Sequence, residues 1–401
     1  MYTPGPMDAN AFFVSPETQA RTARAERLLV RMEEKAASGC VAAALRRSLA
    51  RLEAASTIRI EGKAPRLRVV LFLESLSDDD EDAAAVADAV GSYDFASDEE
   101  REAAFAVLYF ERALDLVYRS ADAGEPFTPA QLLEIHALAQ HGTSAASANV
   151  RFREQPFAFD QASPAAHVYE PPPPEAVVPL VEDLAAFINR DVFAPITQSA
   201  IAHFQFEGIK PFKSGMDKTG RLMCHAIIRR PGLMRQIIAP IGLEPAIDTE
   251  SHAHSLLPYN FGRVIDESNR MAFIDQWAAF CAWSAEVSVK AADVYLDAML
   301  ALRDSWLDDF GRPNRGSAAA ALLDLLPGMP VLTVKRAAKM TGKSVSSVNE
   351  AFLRLEDAGI VRTDERSQRA RLFVAQRAVD LFEDLERAIT PAAPVNRDAL
   401  A

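Results

Sequence analysis

The chain has 401 residues, of which 49% are hydrophobic and 25% charged, and its formal net charge is −13. This composition is ordinary for a globular protein, and the length suggests two or three domains. The acidic balance excludes binding to nucleic acid through the overall field, so any such contact requires a local basic patch.

The sequence gives no indication of export or membrane insertion. The first residues, MYTPGPMDANAFFV, lack the basic start and apolar stretch of a secretory signal. No apolar run is long enough to cross a bilayer. The cysteines Cys40, Cys224 and Cys281 show neither paired nor metal-type spacing. We therefore expect a cytoplasmic protein in a reducing compartment, without membrane contact.

Apolar residues recur at helical spacing through most of the chain. The strongest predicted helices are 20–37, 104–121, 176–193 and 287–307. The acidic run at 77–82 is predicted to be an exposed loop. Between 152 and 176, aromatic and Val residues flank a turn at 162–164, which predicts a β-hairpin. Four prolines then precede a helix that starts at about Glu175.

The stretch KPFKSGMDKTGR, Lys210 to Arg221, has two glycines, several cations and an apolar helix directly behind it, as phosphate-holding loops do. It is not a P-loop, because Gly220 is followed by Arg221 and not by Lys-Ser or Lys-Thr. The DKTG within it resembles the phosphorylated aspartate motif of P-type ion pumps. Those pumps cross membranes, and this sequence has no apolar run that spans one.

A different pattern follows the turn-forming residues 311–317. It predicts a helix, a tight turn at Gly342, a second helix at Val345–Asp357 and two short strands, which is a winged helix-turn-helix. The segment is basic within an acidic chain, so we expect it to bind DNA. The predicted DNA-binding residues are Lys343, Ser346, Ser347, Asn349, Arg354, Arg369 and Arg371. The alternative is a winged helix used for protein contacts.

Several stretches together resemble the Fic (Fido-fold) family. IAHFQFEGIKPF at 201–212 and GRLMCHAIIRR at 220–230 are similar to the long context of the family signature HxFx(D/E)GNGRxxR. LLEIHALAQHG at 132–142 resembles the helix ahead of the family's flap, and residues 150–175 resemble its target-docking hairpin. TIRIEG at 57–62 resembles its autoinhibitory helix.

The resemblance implies a mainly α fold, in which a Fic helical bundle with a β-hairpin flap is followed by a winged helix-turn-helix domain. It divides the chain into an N-terminal helical region (1–99), a Fic core (100–310), a winged helix (317–378) and a C-terminal tail (379–401). A target protein would dock at the flap, residues 152–170. The oligomeric state stays open, and a homo-oligomer is compatible with the sequence.

The resemblance also implies a site. Family members mostly transfer AMP from ATP to a target hydroxyl, with a histidine base, an acidic Mg²⁺ ligand and a glycine-rich helix N-terminus. This chain has Lys210 at the histidine position, Ser214 at the metal-ligand position and Gly215-Met216-Asp217 in place of GNG. The implied phosphate-binding residues are Gly215, Lys218, Gly220 and Arg221. The family's inhibitory glutamate, which pairs with that last arginine, is matched by Glu61.

These departures weaken each chemical requirement. Lysine has an unperturbed pKa of about 10.4, so near neutrality Lys210 is a cation and not a base. Ser214 offers Mg²⁺ only a neutral hydroxyl, and Asp217 repels phosphate. We therefore predict a Fic-domain protein with a degenerate active site that serves as a regulatory or DNA-binding module. The alternative is an active protein adenylyltransferase, or altered nucleotide chemistry, with ATP and Mg²⁺ bound.

The other histidines offer no obvious substitute base. His136, His203 and His225 are predicted to be packed or capping side chains rather than ligands. His252 and His254 stand two residues apart, so on a helix they would not share a face.

Overall fold

The computed structural model describes most of the chain. The described residues are 4–5, 7, 12–39, 41–60, 63, 65–76, 95–141, 150–157, 170–241, 269–364 and 371–389. Some predicted features lie outside these ranges, namely Glu61, the loop at 77–82, the hairpin turn at 162–164, His252, His254 and Arg369.

The described residues form thirteen helices and one small sheet, so the fold is mainly α. The first nine helices are α1 (Pro16–Ser38), α2 (Ala42–Ile60), α3 (Leu67–Leu76), α4 (Asp98–Asp122), α5 (Pro129–His141), α6 (Pro174–Ile188), α7 (Pro195–Ile209), α8 (Met216–Arg229) and α9 (Arg270–Phe310). The four helices predicted from periodicity are confirmed within α1, α4, α6 and α9.

Helix α6 ends at Ile188, before the predicted end at 193, because Asn189 caps it. The Asn189 side-chain amide donates to the carbonyl of Ala185 at 2.8 Å and to the carbonyl of Phe127 at 2.8 Å. Its side-chain oxygen accepts from the backbone N–H of Phe127, also at 2.8 Å. These bonds satisfy a carbonyl at the end of α6 and fasten the helix end to the segment before α5.

Helix α9 connects two hydrophobic cores. It has 41 residues, which is roughly 60 Å of helix at 1.5 Å per residue. Its residues as far as Met299 pack into a core shared with α1–α8, whereas Leu302 and Trp306 pack into a second core with the C-terminal elements. None of the helices in the described ranges has the length and apolar content that a membrane span requires.

Residues 317–378, called the C-terminal module below, build the second core. Its elements are α10 (Ala318–Leu325), β1 (Val331–Thr333), α11 (Val334–Thr341), α12 (Val345–Asp357), β2 (Arg362–Asp364) and β3 (Leu372–Val374), and α13 (Gln376–Ile389) follows. The antiparallel sheet has the order β1-β3-β2. Gly342 ends α11 with φ 64°, a backbone angle that favours glycine. The helices and two strands lie where the sequence predicts them, and β1 is an additional strand.

A buried arginine fastens the C-terminal module to the N-terminal helices. Arg51 of α2 donates to both carboxylate oxygens of Glu74 on α3, at 2.6 and 2.5 Å. The same guanidinium donates to the carbonyl of Gly328 at 3.0 Å and lies 5.2 Å from the ring centroid of Phe382 on α13. At Gly328 a Cβ atom would lie 2.2 Å from the carbonyl oxygen of Ala44, so only glycine allows this approach.

Candidate functional site

The predicted site residues lie at the turn between α7 and α8. Helix α7 ends at Ile209, and Lys210 follows with φ 49° and ψ 58° in the left-handed region. Among the described residues it is the one non-glycine with positive φ. A left-handed conformation costs an L-residue about 1–2 kcal/mol, so the surrounding contacts must hold this backbone in place.

Arg153 supplies those contacts. Its buried guanidinium donates to the carbonyl of Lys210 at 2.7 Å, to that of Ile209 at 3.2 Å and to that of Pro172 at 2.5 Å. Its backbone N–H donates to the carbonyl of Pro211 at 2.9 Å. The start of the predicted flap, residues 152–170, is therefore hydrogen-bonded directly to the turn between α7 and α8.

The side chain of Lys210 forms a buried ion pair. Its Nζ lies 2.7 Å from Oε2 of Glu207, three residues earlier on α7, and the two side chains are 6% and 2% exposed. A carboxylate at hydrogen-bond distance stabilises the ammonium form of a buried amine. The group that stands at the position of a general base is therefore a paired cation.

Three further ionisable side chains surround this pair. Burial, together with the positive charge of Arg221, lowers the pKa of His203 to about 4, so this imidazole is neutral near pH 7. Burial, together with the negative charge of Glu207, raises the pKa of Asp217. Nε2 of His203 and Oε1 of Glu207 are 3.8 Å apart, and neither atom has a hydrogen-bond partner among the described residues.

Arg221 is buried one turn after Asp217 on α8. Within the described part of the chain, no carboxylate lies within salt-bridge distance of its guanidinium. Glu61, its predicted partner, is outside that part of the chain. A buried guanidinium is costly unless an anion or acceptors face it, so this position favours a negatively charged partner.

Gly215 begins α8 with φ 68°. A Cβ atom there would lie 1.7 Å from Nε2 of Gln140 on α5, so a larger residue needs the end of this side chain to move, in addition to the cost of the backbone angle. That Nε2 is buried and has no hydrogen-bond partner among the described residues. The carbonyl of Gly215 accepts from the hydroxyl of Thr219 at 2.9 Å.

The remaining predicted site residues have different surroundings. Ser214 is exposed, and Lys218 is buried. Gly220 lies within α8, where a Cβ atom would be 2.7 Å from Nε2 of His203. A glycine is therefore needed at this position for the close packing of α8 against α7, whether or not phosphate binds.

Two of the histidines are packed core residues, as the sequence predicts. His136 stacks on Phe212 with ring centroids 3.7 Å apart and bonds the hydroxyl of Thr219 through Nδ1 at 2.8 Å. His225 is fully buried, with Nε2 3.2 Å from a carboxylate oxygen of Glu53 on α2.

Sequence reasoning missed Glu207, Arg153 and Gln140 as site residues. The position of Glu207 near Lys210 could have been predicted from local spacing, because residues three apart on a helix are neighbours. Arg153 and Gln140 reach the turn through tertiary packing, so no local spacing indicates them.

The predicted DNA-binding residues lie on the C-terminal module, apart from the turn. On α12, Ser346 is exposed and Ser347 and Asn349 are half-buried, while Lys343 precedes the helix and is half-buried. Arg354 lies 4.9 Å from the ring centroid of Phe310. Arg371 forms an ion pair with Glu356 at 3.1 Å.

In the described ranges, no three His, Cys, Asp or Glu side chains are grouped so that they could hold a metal ion. Ser214, at the predicted Mg²⁺ position, is exposed and offers a neutral hydroxyl. Asp217, on the first turn of α8, occupies the electropositive helix N-terminus with a carboxyl group of the protein itself. These residues do not fit Mg²⁺-bound ATP.

Comparison with known proteins assigns the region around the turn. Residues 126–228 match the Fic/DOC family. The chain is similar to a Fic family protein from Desulfovibrio desulfuricans G20, at 16% identity and a TM-score of 0.50, over 91% of this chain and 97% of that one. Residues 126–228 therefore form a Fic/DOC family domain, and the likeness shows a shared fold.

Two further structures are similar. One is a Fic domain containing signaling protein from Bacteroides thetaiotaomicron VPI-5482, at 13% identity and a TM-score of 0.43, over 68% of this chain and 97% of that one. The other is a fragment of Fic-1 from C. elegans, at 20% identity and a TM-score of 0.45, over 69% of this chain and 73% of that one.

Gly215 is constrained by its positive φ and by its contact with Gln140. These two constraints can be separated by comparison with Gly124, which has φ 72° and no atom within 4 Å of its Cβ position. We expect Gly124→Ala to lower the free energy of unfolding by about 1 kcal/mol, the cost of positive φ alone. Gly215→Ala must also move the flexible end of Gln140, so we expect a loss larger than that of Gly124→Ala. Urea denaturation measures both values, and equal losses would show that Gln140 does not constrain this position.

Proposed function

We propose that this Fic domain protein does not transfer AMP and that it acts as a regulatory module that binds DNA through a C-terminal winged helix. The ion pair between Lys210 and Glu207 carries the first half of the proposal. A general base needs a free lone pair, and an ammonium group has none. Loss of a general base alone typically lowers a rate by about 10²–10⁴-fold.

The predicted phosphate-binding position at the N-terminus of α8 is weakened as well. Asp217 brings a carboxyl group to the helix N-terminus where the family pattern places phosphate. Two unit charges of like sign about 4 Å apart repel by roughly 4 kcal/mol at an effective dielectric constant near 20. Burial and the charge of Glu207 raise the pKa of Asp217, so this repulsion is full only where the carboxyl group is ionised.

A second candidate function rests on Arg221 and Gln140. The buried guanidinium has no ion pair among the described residues, and the buried amide nitrogen at Gly215 has no hydrogen-bond partner there. Both groups suit an anion, as do the free N–H groups at the start of α8. The alternative is therefore a protein-modifying transferase in which Lys210 contacts phosphate and ATP is used by altered chemistry.

The second half of the proposal rests on the C-terminal module. It contains ten Lys and Arg and six Asp and Glu, a net charge of +4 in a chain of net charge −13. Val348, Phe352 and Leu355 of α12 are buried in the second core, which leaves the opposite side of this helix open. A basic module with an open helix followed by two strands is the arrangement that winged helices use in the major groove.

Labelled ATP tests the loss of transfer. We expect the full chain to place no label on itself or on lysate proteins in the presence of Mg²⁺. We expect the same of Glu61→Gly, which removes the predicted inhibitory glutamate.

The matched control for that assay is Arg221→Ala in the Glu61→Gly background. Label that is transferred by Glu61→Gly and abolished by Arg221→Ala would contradict the proposal and favour the transferase alternative.

Fluorescence anisotropy with random-sequence duplex DNA tests the proposed DNA binding. We expect affinity to fall as salt rises, because bound cations displace counterions from phosphate. Lys343→Gln should weaken binding and reduce the salt slope by about one unit.

The control for this measurement is Lys290→Gln, which changes a lysine that pairs with Glu286 on α9, outside the module. It should bind like the natural protein. No binding at low salt, or equal effects of the two substitutions, would overturn the proposed role of the C-terminal module.

A further inference from the structure

Helix α12 presents a ridge of three residues on its open side. Val345, Asn349 and Leu353 stand four residues apart, so successive members lie close together along the helix. Val345 is 60% exposed and Leu353 39% exposed, while Asn349 between them is half-buried. The apolar side chains of Val345 and Leu353 thus lie on either side of the Asn349 amide along this ridge.

The ridge starts where a groove-binding helix makes its contacts. Ser344 caps α12 by accepting from the backbone N–H of Ser347 at 3.2 Å, so Val345 is the first helical residue. The N-terminal residues of a recognition helix are those that reach base edges in the major groove. Lys343, immediately before the cap, places a cation beside that end, which complements the charge of a phosphate backbone.

The chemistry of the ridge selects one kind of base pair. In the major groove the thymine methyl is the apolar group that a Val or Leu side chain can contact, and the Asn amide pairs with N6 and N7 of adenine. We propose that Val345, Asn349 and Leu353 read A·T base pairs, with Val345 against a thymine methyl. This inference rests on the proposed DNA binding and adds the sequence class to it.

The acidic and basic side chains near the ridge lie on different elements. Glu350 and Asp357 are exposed on the same side of α12, and carboxylates repel phosphate. The cations Arg362 and Arg371 lie on β2 and next to β3 instead. Cations that could contact phosphate are therefore on the strands and at Lys343, before the start of the helix.

Selection from randomised duplexes, with the full chain, identifies the preferred site. We expect thymine and adenine to be enriched within it. Replacing one enriched thymine by uracil removes only the methyl group, and this should lower the affinity of the natural protein about fourfold, which corresponds to about 0.8 kcal/mol for one buried methyl.

Variants then assign the contact. Val345→Ala should bind the thymine and uracil duplexes equally, and Asn349→Ala should lose the preference for adenine. Val294→Ala is the matched control, because Val294 is 70% exposed on α9, and it should keep the fourfold difference. Circular dichroism checks that each variant is folded.

The outcomes separate this inference from the proposed function. Equal binding of thymine and uracil duplexes by the natural protein at every enriched position would overturn the inference and leave DNA binding intact. No binding to any duplex would overturn both. A change in self-association, with DNA binding unchanged in Val345→Ala and Leu353→Ala, would show that the ridge contacts protein and would also overturn the inference.

Discussion

The buried ion pair between Glu207 and Lys210 determines the character of the site. Glu207 lies in the last turn of α7 and Lys210 follows directly after its end, so the pair belongs to the turn between α7 and α8. Arg153 fixes the left-handed backbone of Lys210 from the other side, through three carbonyls. Because both partners are buried, removing either charge would leave the other unpaired, which typically costs about 3–5 kcal/mol. The turn therefore contributes to the stability of the domain independently of any chemistry at this site.

Helix α2 contacts both the site helix and the C-terminal module. Glu53 lies against His225 on α8, and two residues earlier Arg51 bonds the carbonyl of Gly328. The helix α9 extends through both cores as well. The Fic/DOC domain and the C-terminal module thus have separate hydrophobic cores, which are joined by α9 and by the hydrogen bond of Arg51.

The sequence predicted the helices and the C-terminal elements well, because periodicity, caps and the turn at Gly342 are local signals. The resemblance to the Fic family led to the turn and to Lys210. The features that neither the sequence patterns nor the resemblance predicted depend on tertiary contacts. One such contact is the close packing of His203 of α7 against Gly220. Neither the left-handed backbone at Lys210 nor its fixation by Arg153 follows from a local pattern.

We propose that nucleotide binding at this turn has been replaced by the protein's own charged groups. These are the ion pair of Lys210 with Glu207 and the carboxyl group of Asp217. Isothermal titration calorimetry of the full chain with ATP and Mg²⁺ tests it most directly. We expect no saturable heat at micromolar to low millimolar ATP. Saturable binding in the micromolar range that is lost in Arg221→Ala would contradict it.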